Sequence, residues 1–159
     1  MTASITIHRA TVNDALEIAV MVGELLNEIM TTIGINVFNF SLDETKARLH
    51  DFIDREKYFV FVAQNGNVGP VGFIALFEGH ALYAEGAFGI IPELFVRPEF
   101  RSKNVGLRLV EQAKTFGSSR GWKRLEVTTP PLPQFDKTLA FYEREEFAIT
   151  GGRKLKVVL

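Results

Sequence analysis

Residues 91–114 read IPELFVRPEFRSKNVGLRLVEQAK. An apolar strand-like run ends near Val96, a short loop of Arg, Lys, Asn and Gly follows, and the loop opens directly into an amphipathic helix. The first amides of any helix lack intrahelical acceptors, and the aligned peptide dipoles add partial positive charge there. A strand–loop–helix junction of this composition therefore has the layout of an anion site suited to a phosphate group, the alternative being an ordinary basic turn that caps a helix. Arg101, Lys103 and Arg108 add charge around it.

Outward from this junction, the chain alternates strand and helix signals. Ile5 and Ile7 alternate with polar neighbours as in a short strand. Thr11 followed by Asp14 marks a helix start, and Ala15, Ile18, Ala19, Val22, Leu25, Leu26 and Ile29 recur at helical spacing after it. Ser41 followed by Glu44 opens a second helix with Leu42, Leu49, Phe52 and Ile53 as its buried stripe. The connection between the two, residues 31–40, is rich in apolar and aromatic side chains. Residues 58–64 and 71–78 read as an antiparallel pair joined at Asn65-Gly66. Residues 79–89 form a longer irregular connection or a third hairpin, residues 90–96 a strand, and residues 105–120 a helix closed by Gly121. A strand over 124–128 precedes TPPLPQF, whose three prolines exclude a helix interior. Asp136 then caps a short helix to residue 145, and two strands around Gly151-Gly152 end the chain.

The 159 residues, 47% of them hydrophobic, suit one domain with a substantial core, and residues 1–159 are read as a single domain. A formal charge of −1 gives no global attraction to nucleic acid or acidic membranes, so neither is expected as a partner. Without cysteine there is no disulfide framework, thiolate metal site or thiol nucleophile. The three histidines, His8, His50 and His80, are dispersed, and no metal is expected. The N-terminal residues lack a signal-peptide pattern and no apolar run is long enough to span a bilayer, which points to a soluble, cytoplasmic protein.

The order βααβββαβαββ implies an α/β fold with a central mixed sheet covered by helices. That order, with Leu94-Phe95-Val96, Pro98, Arg101 and Lys103-Asn104-Val105-Gly106, resembles the GNAT superfamily of acyl-CoA-dependent N-acyltransferases over essentially the whole chain. The loop matches the superfamily's Arg/Gln-x-x-Gly-x-Gly/Ala spacing, with Asn104 where glycine is usual. Asparagine tolerates the left-handed conformation such a turn needs. Ala140-Phe141-Tyr142-Glu143 leading to Phe147 resembles the superfamily's late helix, with Glu146 where glycine is usual. The asparagine commonly found near the position of Phe135 is absent, and Gln134 or Asp136 stand as substitutes.

The resemblance implies acetyl-CoA as cosubstrate. Its pyrophosphate would lie in the nest of Arg101, Ser102, Lys103, Asn104, Val105, Gly106 and Leu107, with Gly106 permitting close approach. Leu94, Phe95 and Val96 would pair their free backbone groups with the pantetheine arm, and an amide there would face the oxyanion. It also implies that Tyr142 protonates the departing thiolate; as a packing residue it would instead close the core with Phe141 and Phe147.

Amine acylation needs a neutral nucleophile, yet an alkylamine has a pKa near ~10.4, so a base is required. Glu93, set in an apolar strand beside the implied acyl site, is the first candidate. Its competing reading is a carboxylate paired with a neighbouring Arg or facing solvent. Glu85 and His80 are weaker candidates, and His8 and His50 read as surface or interface residues.

Phe38, Phe40 and Phe135 are candidate walls of an acceptor pocket, and Glu24 with Glu28, one helical turn apart, would hold a cationic amine or form a solvated face. The expected function is transfer of acetyl directly to a primary amine of a small molecule or amino-acid-like acceptor. The alternatives are a non-catalytic acyl-CoA sensor module, an enzyme acting on a protein amino group, and an unrelated phosphate-binding domain. Homodimerisation through late strands or helices is a further implication of the resemblance.

Overall fold

The Thr11 hydroxyl accepts from the Asn13 amide and the Asp14 carboxylate accepts from the Thr11 amide, a reciprocal cap that starts a 3₁₀ turn over Val12–Asp14. In this computed structural model, which describes residues 4–159, that turn runs into helix α1 (Ala15–Ile33) after strand β1 (Ile5–Arg9). Gly34, at φ 72°, ends α1 in the left-handed conformation. Helix α2 (Leu42–Asp54) begins where the Ser41 hydroxyl accepts from the Glu44 amide. Both caps are those expected from sequence.

Strands β2 (Phe59–Asn65), β3 (Gly69–Ala81), β4 (Gly86–Val96) and β5 (Leu125–Val127) complete one mixed sheet in the order β1-β2-β3-β4-β5. The first four strands pair antiparallel, and β5 joins β4 in parallel after helix α3 (Val105–Ser119). The chain falls into two units, Met1–Thr128 and Thr129–Leu159; the second contains helix α4 (Asp136–Arg144).

Period-two alternation divides the sheet's side chains between its faces. Val60, Val62, Phe73, Ala75 and Phe95 form one buried cluster with Ile18, Ala19 and Met21 of α1 and Leu49 of α2, with Tyr58 packed at its margin. On the other face, Phe59 and Phe61 meet Phe116 of α3, and Trp122 closes on the Phe116 ring.

Three sequence expectations change in detail. Residues 79–89 resolve into the third hairpin, with a tight turn at 82–85. At the β2–β3 turn the Asn65 side chain accepts from the amides of Asn67 and Val68, so this asparagine acts through its carboxamide at the strand end. The two strands expected around Gly151-Gly152 are not formed: residues 148–159 contain no strand or helix. Lys154, Leu155, Lys156 and Val157 alternate in strand fashion, but period-two alternation needs a ladder partner to become a strand. Leu155 and Val157 are more than four-fifths exposed.

Candidate active site

Pro92 lies in the middle of β4, where its missing N–H would break a regular ladder. The strand accommodates it with a bulge: Ala75 pairs with Glu93 and Phe77 with Ile90, so Ile91 and Pro92 together face Leu76. On its other side β4 pairs with β5 only through Gly89, Ile90 and Ile91. Past the bulge, residues 92–96 retain β3 on one side and have no β5 partner on the other. The free edge includes the backbones of Leu94, Phe95 and Val96, the segment the sequence marked for an acyl-pantetheine chain.

Opposite that edge, the register fixes where Glu93 points. It pairs with Ala75 and Phe95 pairs with Phe73, both on the face covered by α1 and α2. Its nearest polar partner is Tyr58, whose hydroxyl donates to Oε2 at 3.4 Å. Burial lifts the Glu93 carboxyl to about 7, while the Tyr58 hydrogen bond pulls it in the opposite direction. Tyr58 is itself pushed far above the ordinary phenol range by burial first and by the Glu93 charge second, so its hydroxyl keeps its proton. Neither competing sequence reading of Glu93 describes it, for it has no Arg partner and does not lie open to solvent. Sequence reasoning missed Tyr58. The available signal was its phase, two residues before Val60 and four before Val62, which places all three on one face.

The loop after β4 turns with two non-glycine residues in the left-handed region, Ser102 at φ 60° and Asn104 at φ 66°. Asn104 occupies the position where the resemblance expects glycine. It is the N-cap of α3 but its side chain accepts no capping hydrogen bond, and the first helical bond runs from the Arg108 amide to the Asn104 carbonyl at 3.0 Å. The amides of Val105, Gly106 and Leu107 are thus left as an uncapped first turn, a donor set that fits the pyrophosphate of coenzyme A.

The charges around the loop are more engaged than the sequence suggested. Arg101 donates to Glu28 at 2.6 Å and through Nε to the Val96 carbonyl at 2.8 Å, and stacks over Phe95. Lys103 lies over the Phe100 ring. Arg108 points away to the Ile5 carbonyl of β1, at 2.7 Å. Arg97 chelates Glu24 and also donates to the Pro70 carbonyl. Glu24 and Glu28 are therefore each engaged by an arginine while remaining partly exposed. They tie α1 to the end of β4 and to the loop, and their Arg partners lie 73 residues away in sequence, beyond any local pattern.

Among the weaker candidates, Glu85 pairs with Lys123, while His80 is largely exposed beside Glu78. His8 faces Asp14 at the surface, and His50 is exposed. No group of three or more His, Asp or Glu side chains among the described residues is placed to hold a metal. Phe38 and Phe40 are exposed; the Phe40 ring lies against Gly23 of α1, where a Cβ would come within 2.6 Å of it.

In the second unit, Tyr142 is buried on α4 with its ring edge-on to Phe141 and Phe147. Burial pushes its phenol well above the ordinary range, and its hydroxyl makes no hydrogen bond among the described residues. Asp136 is the first residue of α4, following Phe135 at the N-cap. Glu146, the other position where glycine was expected, adopts φ 73°.

The acetyltransferase (GNAT) family model matches residues 22–147. No curated protein matches the chain significantly. Among solved structures, a GCN5-related N-acetyltransferase from Ralstonia eutropha superposes with a TM-score of 0.78 at 16% identity, covering 97% of this chain and 99% of that one. An aminoglycoside acetyltransferase from an uncultured soil metagenomic sample gives 0.76 at 19% identity, over 98% and 96% of the two chains. A predicted acetyltransferase with acetyl-CoA from Clostridium acetobutylicum gives 0.78 at 12% identity, over 98% and 96%.

Proposed function

Because this chain belongs to the GNAT acetyltransferase family, we propose that it transfers an acetyl group from acetyl-CoA directly to a primary amine of a small-molecule or amino-acid-like acceptor. The observation that carries the reading is Glu93: a carboxyl lifted to about 7 beside the free edge of β4, suited to accept a proton at neutral pH. The family match crosses from the first unit into the second, which supports reading residues 1–159 as one acetyltransferase domain.

The uncapped amides of Val105, Gly106 and Leu107 bind the pyrophosphate, with Arg101, Ser102, Lys103 and Asn104 shaping the loop. Leu94, Phe95 and Val96 hold the pantetheine arm through their backbones. Glu93 takes a proton from the acceptor ammonium, directly or through a water. The amine nitrogen then bonds to the thioester carbonyl carbon, the carbon–sulfur bond breaks, and the thiolate takes a proton from Tyr142. The nitrogen's second proton restores the Tyr142 phenol and Glu93 releases its proton to solvent, so the ammonium and acetyl-CoA yield the amide, free coenzyme and one proton. The transfer is direct because the chain has no cysteine to carry the acetyl group.

Neighbours named as aminoglycoside acetyltransferases support a small amine as acceptor. No helix among the described residues is long and apolar enough to cross a membrane. A cytoplasmic setting and a homodimeric assembly are included in this reading. Thiol release from acetyl-CoA across a panel of amines and amino-terminal peptides tests the function. Acetyl-CoA- and amine-dependent release supports it, and preference for peptides moves the acceptor to a protein amino group. Coenzyme binding without release across the panel overturns it in favour of a sensor module.

A further inference from the structure

Tyr58, in the connection between α2 and β2, and Glu93 of β4 lie 35 residues apart in sequence, yet they meet on one face of the sheet, with aromatic rings against Tyr58. The Tyr58 ring stacks on Phe77 of β3, with centroids 6.2 Å apart, and tilts against Phe52 of α2 at 5.0 Å. Rings on both sides fix the direction of the phenol. The backbone fixes its root as well, since the Tyr58 amide donates to the Phe52 carbonyl where α2 ends. This arrangement holds one hydroxyl against one carboxylate oxygen.

We propose that Tyr58 is the positioning residue for Glu93, its phenol donating to Oε2 so that Oε1 is the oxygen that receives the acceptor's proton. The inference rests on the reading of Glu93 as the base. Chemistry assigns the direction of the bond, because the phenol remains protonated and a carboxylate can only accept. The 3.4 Å separation exceeds the ~2.6 Å typical of a bond from O–H to a charged oxygen, and the pair is expected to shorten when Glu93 ionises. Tyr58 thereby favours the charged, proton-accepting form of a carboxyl that burial otherwise holds neutral.

Among the described residues no charged group forms a hydrogen bond or ion pair with Glu93. β3 presents Ala75 to Glu93, α2 presents Phe52 to the phenol, and the α1 carboxylates Glu24 and Glu28 are occupied by Arg97 and Arg101. Burial and the Tyr58 bond act on the Glu93 carboxyl in opposite directions.

Tyr58→Phe keeps the ring and removes the donor, and a thermal melt verifies that the variant folds. The carboxyl carbon of Glu93, followed by NMR in glutamate-labelled protein, reports its titration directly. Loss of a hydrogen bond to the charged form raises the midpoint by about 0.5–1 pH unit. The acid limb of kcat/KM moves up equally, the rate recovers well above the new midpoint, and KM for acetyl-CoA is unchanged. A purely structural tyrosine would lower activity at every pH. An unmoved NMR midpoint in folded Tyr58→Phe overturns the proposal. A midpoint that moves without the kinetic limb, together with undiminished turnover in Glu93→Gln, instead overturns the base reading on which the proposal rests.

Discussion

Arg97, the residue immediately after β4, grips Glu24 of α1 with two nitrogens: Nη2 lies 2.8 Å from Oε2 and Nε 3.2 Å from Oε1. A planar guanidinium matched to a carboxylate gives direction as well as attraction, and the third Arg97 contact, to the Pro70 carbonyl, anchors it to β3. One helical turn on, Glu28 holds Arg101. Two clamps thus set α1 against the strand end and the loop that form the proposed coenzyme site.

Breaking the first clamp has a modest stability cost and a local functional one. Glu24 is 39% exposed, so solvent screens the pair, and Glu24→Gln is expected to destabilise by about 1 kcal/mol. Urea unfolding measures this, and the loss shrinks as salt is added. Glu28→Gln frees Arg101 from α1 and is expected to weaken acetyl-CoA binding several-fold, read by calorimetry, with a smaller change in the unfolding midpoint.

Asn104 holds φ 66° at the start of α3, and a β-branched side chain cannot do so without strain. Asn104→Val is expected to lose about 1–2 kcal/mol and to weaken coenzyme binding, whereas Asn104→Gly keeps the loop and the affinity. Parallel thermal melts and acetyl-CoA titrations distinguish the two. Equal affinity in both variants would show that the left-handed turn does not shape the site.

Glu93 couples activity and stability to pH with opposite signs. As a base it must be ionised, so kcat/KM rises with pH through about 7 and levels off above it. Its folded-state pKa lies above the ordinary carboxylate value, so the folded protein binds the extra proton between the two. The stability this confers is fully present below about 4.5 and is lost as pH rises through about 7. Glu93→Gln is therefore expected to lose at least ~100-fold in turnover while becoming more stable than the parent at pH 8. Denaturant curves at pH 5 and pH 8 check the sign.

Tyr142→Phe removes a hydroxyl with no hydrogen-bond partner among the described residues and keeps the ring between Phe141 and Phe147. Stability and acetyl-CoA affinity are expected to stay within error while turnover falls. Lost affinity with unchanged turnover would contradict its role as the acid.

Much of the fold was legible because local physics wrote it. Thr11 with Asp14 and Ser41 with Glu44 announce their helices, Gly121 adopts the left-handed conformation at a helix end, and β-rich composition around the Asn65-Gly66 turn marks β2 and β3. The end of the chain misled, because the alternation at Lys154, Leu155, Lys156 and Val157 carries no information about whether a partner strand exists. In the site, the loop and Glu93 were visible from composition and neighbourhood. The Glu24–Arg97 and Glu28–Arg101 clamps and the Tyr58–Glu93 pair were not, because register and helix packing bring together residues far apart in the chain.

Calorimetric titration of the purified protein with acetyl-CoA, beside pantetheine and pyrophosphate as fragments, tests the central claim most directly. The account predicts one site per chain, tighter for acetyl-CoA than for either fragment. Absence of binding by folded protein shown to be free of retained coenzyme would contradict it.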